Sequence, residues 1–485
     1  MKLGMMATAM LVGLLGCQSP QQPTAQKPPA PKPVAPKPEP KPTGPQPINT
    51  DFVGVTNFRG NATRTYYGEG PIPTGKVVVK WRASIGSSGR WNGVGWTGQP
   101  LIVEWPTETR AKMNFLTPNG PERELIVGAL DGQVHFYDAD TGKPSRKTLP
   151  TPGRYPIKGT VSVDPRGYPL LYVGCGVNTG GKPGFRIFSL IDFRELLYLP
   201  ANDPKAPRKW PGSDSNVLVL DDVMYLPAEN GLLYRVKLNS NWDGQRISIK
   251  PEITKTVISK PGSENSMAVW EDRGYFADNA GTLFSINLAG APKITKLAEL
   301  GDDTDSSIVF DNDGHMYVGI EKDKRTGPRA KGIIYKLDRQ GRTLWKWEFE
   351  AGSIVNVKPP NNPINGGILS TGALAEDQKT IYYSTSHHPR IGRGFLVALD
   401  TATGKLKWKK QLAGFSWSSP IVRDGVVAAF DSTGSGYIVD ADTGESKLDT
   451  ERINVGANVE ASPIVWKGRL YVGMRGGAMI CLANP

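Results

Sequence analysis

One short pattern recurs along this chain of 485 residues. A strand-forming run ends in a glycine turn, a second run ends in an acidic residue, and a Thr-Gly turn follows. The clearest copy is Leu125-Ile-Val-Gly-Ala-Leu-Asp-Gly-Gln-Val-His-Phe-Tyr-Asp-Ala-Asp-Thr-Gly-Lys143. Residues 395–408 and 436–445 repeat its second half, and degenerate copies lie at 225–234 and 275–284. Self-similarity at this scale restricts the chain to repeat architectures, in which each unit buries its apolar face only against its neighbours.

Each copy has hairpin chemistry. In Tyr471-Val-Gly-Met-Arg-Gly-Gly-Ala-Met-Ile-Cys481 two β-forming runs flank a glycine turn, and the Asp-x-x-Thr-Gly-Lys element makes the next turn. A further strand precedes each hairpin, as in Ser419-Pro-Ile-Val422 and Ser462-Pro-Ile-Val-Trp466. Four antiparallel strands repeated radially predict an all-β, eight-bladed β-propeller. The blades open near Gly98, Lys158, Asp214, Glu264, Asp305, Ser370, Trp417 and Glu460. The last unit supplies only three strands, so residues 76–84, which resemble the outer strand 405–412, are expected to complete it and close the ring.

The motifs Ser-Ser-Pro-Ile-Val (418–422), Ala-Ser-Pro-Ile-Val (461–465) and Ala-Leu-Asp-Thr-Ala-Thr-Gly-Lys-Leu-Lys-Trp (398–408) resemble PQQ-like repeats. Such repeats occur in quinoprotein alcohol dehydrogenases and in BamB-type outer-membrane lipoproteins. The resemblance spans roughly residues 76–485 and speaks for the fold rather than an activity.

The N-terminus reads differently. Lys2 and the apolar run 9–15 suggest a secretory signal over residues 1–16, too short to span a membrane. It ends in Leu14-Leu15-Gly16-Cys17, which resembles a bacterial lipobox and makes Cys17 the expected lipidation site, with an ordinary signal peptide as the alternative. Gln18 and Ser19 are not the aspartate of inner-membrane retention, which points to the outer membrane of a Gram-negative host. Residues 17–50, rich in Pro, Lys and Ala, lack the apolar bulk to fold. In polyproline II, at about 3.1 Å per residue, they would form a semi-rigid stalk about 100 Å long. Residues 51–485 are then the propeller.

Formal charge is +12, to which leader and stalk contribute five lysines against Glu39. The remaining excess fits attraction to anionic envelope surfaces, and no nucleic-acid-reading motif accompanies it. Besides Cys17 there are only Cys175 and Cys481, in non-adjacent blades, so buried free thiols are expected rather than a disulfide.

Aligning the blades on Ser-Pro-Ile-Val places Thr97, Lys158, Asp214, Glu264, Asp305, Ser370, Trp417 and Glu460 at the entries to the inner strands. Carboxylates crowded there raise one another's pKa or recruit a cation, unless they only cap turns. Three long loops share that face in an up-down blade. They carry Lys182 and Arg186; Lys322, Lys324, Arg325, Arg329 and Lys331; and His387, His388, Arg390 and Arg393. The expectation is an acidic throat inside a basic rim, with Trp91 and Trp96 beside it.

Gly176-Val-Asn-Thr-Gly-Gly-Lys182 has the spacing of a phosphate loop, but Pro183 replaces the Ser or Thr and strands flank it. His387-His388 lacks a third metal ligand, and Asp311-Asn-Asp-Gly314 reads as a turn, so no metal site is assigned. The resemblance to quinoprotein dehydrogenases would imply pyrroloquinoline quinone and calcium, an acidic base, and a disulfide between adjacent cysteines. Adjacent cysteines and a haem-attaching Cys-x-x-Cys-His are both missing. The reading is therefore a monomeric, cofactor-free, non-catalytic lipoprotein. It sits in the cell envelope, facing the periplasm or the surface, and displays a scaffold for outer-membrane or envelope proteins. A quinoprotein dehydrogenase, or a polysaccharide or peptide binder using residues 91–105, are the alternatives.

Overall fold

The computed structural model describes residues 52–176, 181–323, 331–355, 357 and 363–485. Eight antiparallel sheets follow one another along the chain, spanning 101–150, 162–200, 218–257, 268–299, 309–349, 373–411, 421–454 and 464–483. These are blades 1 to 8. Their apolar cores lie between neighbouring sheets: Leu101, Ile126 and Phe136 of blade 1, for example, pack with Val163, Leu171 and Val173 of blade 2. Ile464, Trp466 and Tyr471 of blade 8 pack with Leu125 and Val127 of blade 1, which closes the ring. The outer strand of blade 8 is Val78–Ser84, paired antiparallel with Ala478–Ala483 as expected.

Two features of the repeat acquire physical reasons. The Ser of Ser-Pro-Ile-Val and its equivalents join the inner strands in a belt. Ser266 accepts from the Asn216 amide at 3.0 Å, Ser307 from Ser266 at 3.0 Å, Thr371 from Ser307 at 3.0 Å, Ser419 from Thr371 at 2.9 Å, and Ser462 from Ser419 at 3.3 Å. Inner strands of neighbouring blades are not laddered to one another, so these hydroxyls satisfy amides that would otherwise be orphaned. The Thr-Gly turns are docking sites for tryptophan. Trp345 Nε1 of blade 5 donates to the Thr401 carbonyl of blade 6 at 2.9 Å, and Trp408 Nε1 of blade 6 to Ala441 of blade 7 at 2.9 Å. Each indole covers the turn glycine, where a Cβ on Gly404 or Gly444 would come within 2.6 or 2.7 Å of the ring. Those glycines also hold φ near +72° and +74°, which favours the residue on two counts.

Residues 52–75 hold the main surprise. They cross the ring at the C-terminal ends of the inner strands and bond to seven of the eight blades. Gly54 and Val55 pair with Val103 and Ile102, and the carbonyls of Thr56, Ala62 and Thr63 accept from Val163, Val269 and Phe310. Tyr67 Oη accepts from the Leu374 amide at 2.8 Å, and Gly68 and Glu69 run parallel to Val465 and Trp466. Two fully buried arginines complete this floor. Arg59 donates to the carbonyls of Thr371 at 2.6 Å and Pro420 at 2.7 Å; Arg64 donates to Phe58 at 2.7 Å and Met267 at 2.5 Å. Among the described residues the ring is therefore closed at one end and open at the other.

Candidate functional site

The open end is where the inner strands begin. Thr97, Lys158, Asp214, Glu264, Asp305, Trp417 and Glu460 each lie four residues before the inner strand of their blade, and Ser370 lies three before. The second-to-third-strand turns come to the same face. They add two acidic residues that sequence alignment on Ser-Pro-Ile-Val did not single out: Glu229, in the turn Ala228-Glu-Asn-Gly231, and Glu321, near the end of strand Met316–Lys322.

These side chains meet in the mouth. Carboxylate oxygens of Asp214, Glu229 and Glu264 lie within 4.8 Å of one another. The Lys158 ammonium pairs with Asp214. Glu229 Oε2 accepts from the Asp214 amide at 2.8 Å, and Asn279 donates to Glu264 at 2.7 Å. Farther round, Glu321 abuts Asp305 and accepts from the Asn365 amide nitrogen. Asp214 Oδ1, Glu229 Oε1 and Glu321 Oε2 are buried and, apart from neighbouring carboxyls (Glu264 beside Glu229, Asp305 beside Glu321), have no hydrogen-bond donor among the described residues. Burial is the first cause of raised carboxyl pKa values here, with repulsion from neighbouring carboxylates added. Asp214 rises, partly offset by Lys158; Glu229 and Asp305 rise well above the usual range; Glu321 is pushed up to about 8. The same carboxylates raise the Lys158 pKa against its own burial.

Two cavities open on this mouth and share Asn365. One, of about 660 Å3, has Glu264, Asp305 and Glu321 as its acidic wall, with Arg208, Lys260 and the exposed Trp210 at its edge. The other, of about 570 Å3, is lined by Trp91, Trp96, Trp417, Lys158, Glu460 and Arg475. Glu460 accepts from Arg475 at 3.0 Å, and Trp96 Nε1 donates to the Leu369 carbonyl at 3.2 Å. The structure thus brings Asp214, Glu264 and Asp305 to one side of the mouth, and Glu460, Trp91 and Trp96 to the other.

The expected basic rim is corrected in part. Arg186 is buried, donating to Glu195 at 3.0 Å and to Cys175 Sγ at 3.4 Å. Lys322 is buried against the Ala351 carbonyl at 2.9 Å. Buried His387 packs on Phe415 with ring centres 4.2 Å apart. Arg186 lies within strand Gly184–Ser189 and Lys322 at the end of strand Met316–Lys322, so their side chains meet partners inside the propeller. Lys324, Arg325 and Arg329 lie outside the described residues. Besides Lys158, the cations lining the two cavities are Arg90, Arg208, Lys209, Lys260 and Arg475. The Pro-Lys-Trp-rich loop at 201–213 was the sequence signal for two of them, Arg208 and Lys209.

A family model described as outer membrane protein assembly factor BamB matches residues 330–483. No curated protein shows significant sequence similarity to the chain. Among solved structures, quinohemoprotein alcohol dehydrogenase from Comamonas testosteroni is 12% identical with a TM-score of 0.57, over 88% of this chain and 80% of that one. The computationally designed Ika8 protein is 10% identical with a TM-score of 0.51, over 82% and 98%. BamB from Moraxella catarrhalis is 14% identical with a TM-score of 0.49, over 84% and 98%. The chain is a β-propeller, and its residues 330–483 are similar to PQQ-like repeats. It is similar to the BamB proteins.

Of the features a calcium–quinone pair would imply, adjacent bonded cysteines are not among the described residues, where Cys175 and Cys481 are separate, buried and free, and Asp214 of the acidic triad is paired with the Lys158 ammonium.

Proposed function

We propose that this chain is a non-catalytic envelope lipoprotein whose propeller is a binding scaffold for envelope or outer-membrane proteins. The observation that carries the reading is the one-ended ring: a floor sealed by residues 52–75, opposite a mouth of acidic, aromatic and basic side chains. Rigid blades presenting mixed loops on one face suit recognition by many small contacts. The family match over 330–483 and the lipobox-like Leu14-Leu15-Gly16-Cys17 support placement at a membrane in the envelope. In this reading Cys17 carries the lipid, and residues 18–50 lift the propeller from the bilayer.

Crosslinking intact envelopes and purifying the chain tests the scaffold role. A defined set of envelope proteins is the expected outcome, and their absence above a mock purification rejects it. Cys17→Ser should abolish palmitate labelling and release the protein from the membrane fraction. The Trp91, Trp96 and Trp417 wall favours polysaccharide or peptide binding as the second reading, because aromatic faces stack on sugar rings.

A further inference from the structure

The 660 Å3 cavity carries more chemistry than a general docking face needs. Its acidic wall contains Glu264, Asp305 and Glu321; Glu321 is only 1% exposed, and apart from the adjoining Asp305 carboxyl its Oε2 meets no donor among the described residues. A buried acceptor without a donor costs about 1–3 kcal/mol, and more for a charged group, unless something else pairs with it. The neighbouring half of the mouth shows what such carboxylates accept. There the ammonium of Lys158 sits on Asp214, near Glu229 and Glu264.

The remaining walls narrow the ligand. Pro207, Trp210 and Pro261 give an apolar surface suited to a methylene stem. Arg208, Lys209 and Lys260 stand at the edge and repel a free metal ion or polyamine, yet attract carboxylates flanking a basic residue. Charge complementarity therefore runs cation-inside, anion-outside.

We propose that this cavity receives a single lysine or arginine side chain of a partner polypeptide, its head group on Asp305 and Glu321, its stem along Trp210, and its acidic neighbours against Arg208 and Lys260. This rests on the scaffold reading above. It specifies the chemistry of the segment bound.

The test is calorimetric titration of the full propeller with an acetylated, amidated peptide Gly-Ser-Asp-Lys-Asp-Ser-Gly, with its norleucine counterpart, and with calcium chloride alone. The lysine peptide should bind at one per chain, and norleucine should weaken it at least about tenfold, since the charge-assisted bonds are lost. The double variant Asp305→Asn, Glu321→Gln should lose a similar factor while its thermal midpoint stays equal or rises, because it removes buried repulsion. Lys260→Glu, at an exposed position, should weaken the same peptide without touching the acidic wall. Equal binding of norleucine, an unchanged double variant, no binding at millimolar peptide, or calcium displacing the peptide would each overturn the proposal. If the peptide fails while envelope partners still co-purify, the cavity assignment falls and the scaffold survives. If neither binds, both fall.

Discussion

Trp81 Nε1 donates to the carbonyl of Ala139 at 3.0 Å, joining the N-terminal strand of blade 8 to the Thr-Gly turn of blade 1. The same indole covers Gly142, where a Cβ would come within 2.6 Å of the ring. The repeat's inter-blade bond thus also spans the seam where the chain's two extremities meet. Replacing Trp81 with alanine removes the packing and the bond together, and should cost about 2–4 kcal/mol for a half-buried tryptophan. Trp81→Phe keeps most of the packing and should cost about 1 kcal/mol. Thermal unfolding measures both. Limited proteolysis should cut near residues 76–84 in Trp81→Ala, whereas Trp408→Ala, inside the ring, should leave that strand protected.

The floor offers a separate test. Burial lowers the pKa of Arg59 to about 10, yet it stays charged at neutral pH and its guanidinium is held by backbone carbonyls and by the Tyr67 ring, 4.7 Å from its centroid. Arg59→Met leaves the carbonyls of Thr371 and Pro420 unpaired in a buried place, so about 3 kcal/mol of stability should be lost. The midpoint of chemical unfolding reports it. A variant as stable as the parent would mean that residues 52–75 do not brace the ring.

Much of this architecture was legible and some of it was not, for physical reasons. Hairpins, outer-strand closure and the entry column at Asp214, Glu264, Asp305 and Glu460 follow from period-2 patterning and from turn chemistry, both local. Residues 52–75 have no period, because each of their bonds goes to a different blade; Arg59 and Arg64 read as ordinary surface cations until the carbonyls they serve are seen. Glu229 occupies a turn position that holds Asn279 in the next blade, so nothing in its own context marked it as a partner of Asp214. Arg186 and Lys322 show the same thing in reverse: their sequence context is that of a rim, and burial of a long cation is decided by tertiary packing.

The acidic mouth makes stability depend on pH in a stated direction. Glu321, Glu229, Asp305 and Asp214 have folded-state pKa values above those of the unfolded chain. Between pH 4.5 and 8 the fold therefore holds protons that the unfolded chain has released, and stability falls as pH rises through that window. Lys158, with its pKa raised, contributes a stabilisation that is present throughout this range and lost only in strong alkali. Unfolding free energy should drop on the order of 2 kcal/mol between pH 5 and 8, and Glu321→Gln should flatten the slope. A stability that instead climbs with pH, with Glu321→Gln parallel to the parent, rejects the protonated cluster.

Both described cysteines are inert by the same logic of burial. Burial pushes the Cys481 thiol up to about 12 and raises that of Cys175 despite the nearby Arg186. Since the thiolate is the reactive form, neither should react with a disulfide reagent in the folded protein, and both should react once it is unfolded. Fast labelling of the native propeller would contradict the packing of blades 2 and 8.

Lys158 is the feature that sets this mouth apart from a cation site. Its ammonium pairs with Asp214 and is attracted by Glu229 and Glu264, and the oxygens of these three lie within 4.8 Å of one another. Removing it as Lys158→Ala leaves three clustered carboxylates with no internal counter-charge, which should destabilise the propeller by about 3 kcal/mol or more. Those oxygens would then suit a hard divalent ion, which carboxylates bind without needing a fixed geometry when the ion is calcium. Adding millimolar calcium should therefore raise the thermal midpoint of Lys158→Ala by several degrees while leaving the parent unchanged, and Glu229→Gln in the same background should cancel the gain. A parent protein stabilised by calcium as strongly as the variant would show that Lys158 does not counter those charges, and would return the mouth to the metal-binding reading.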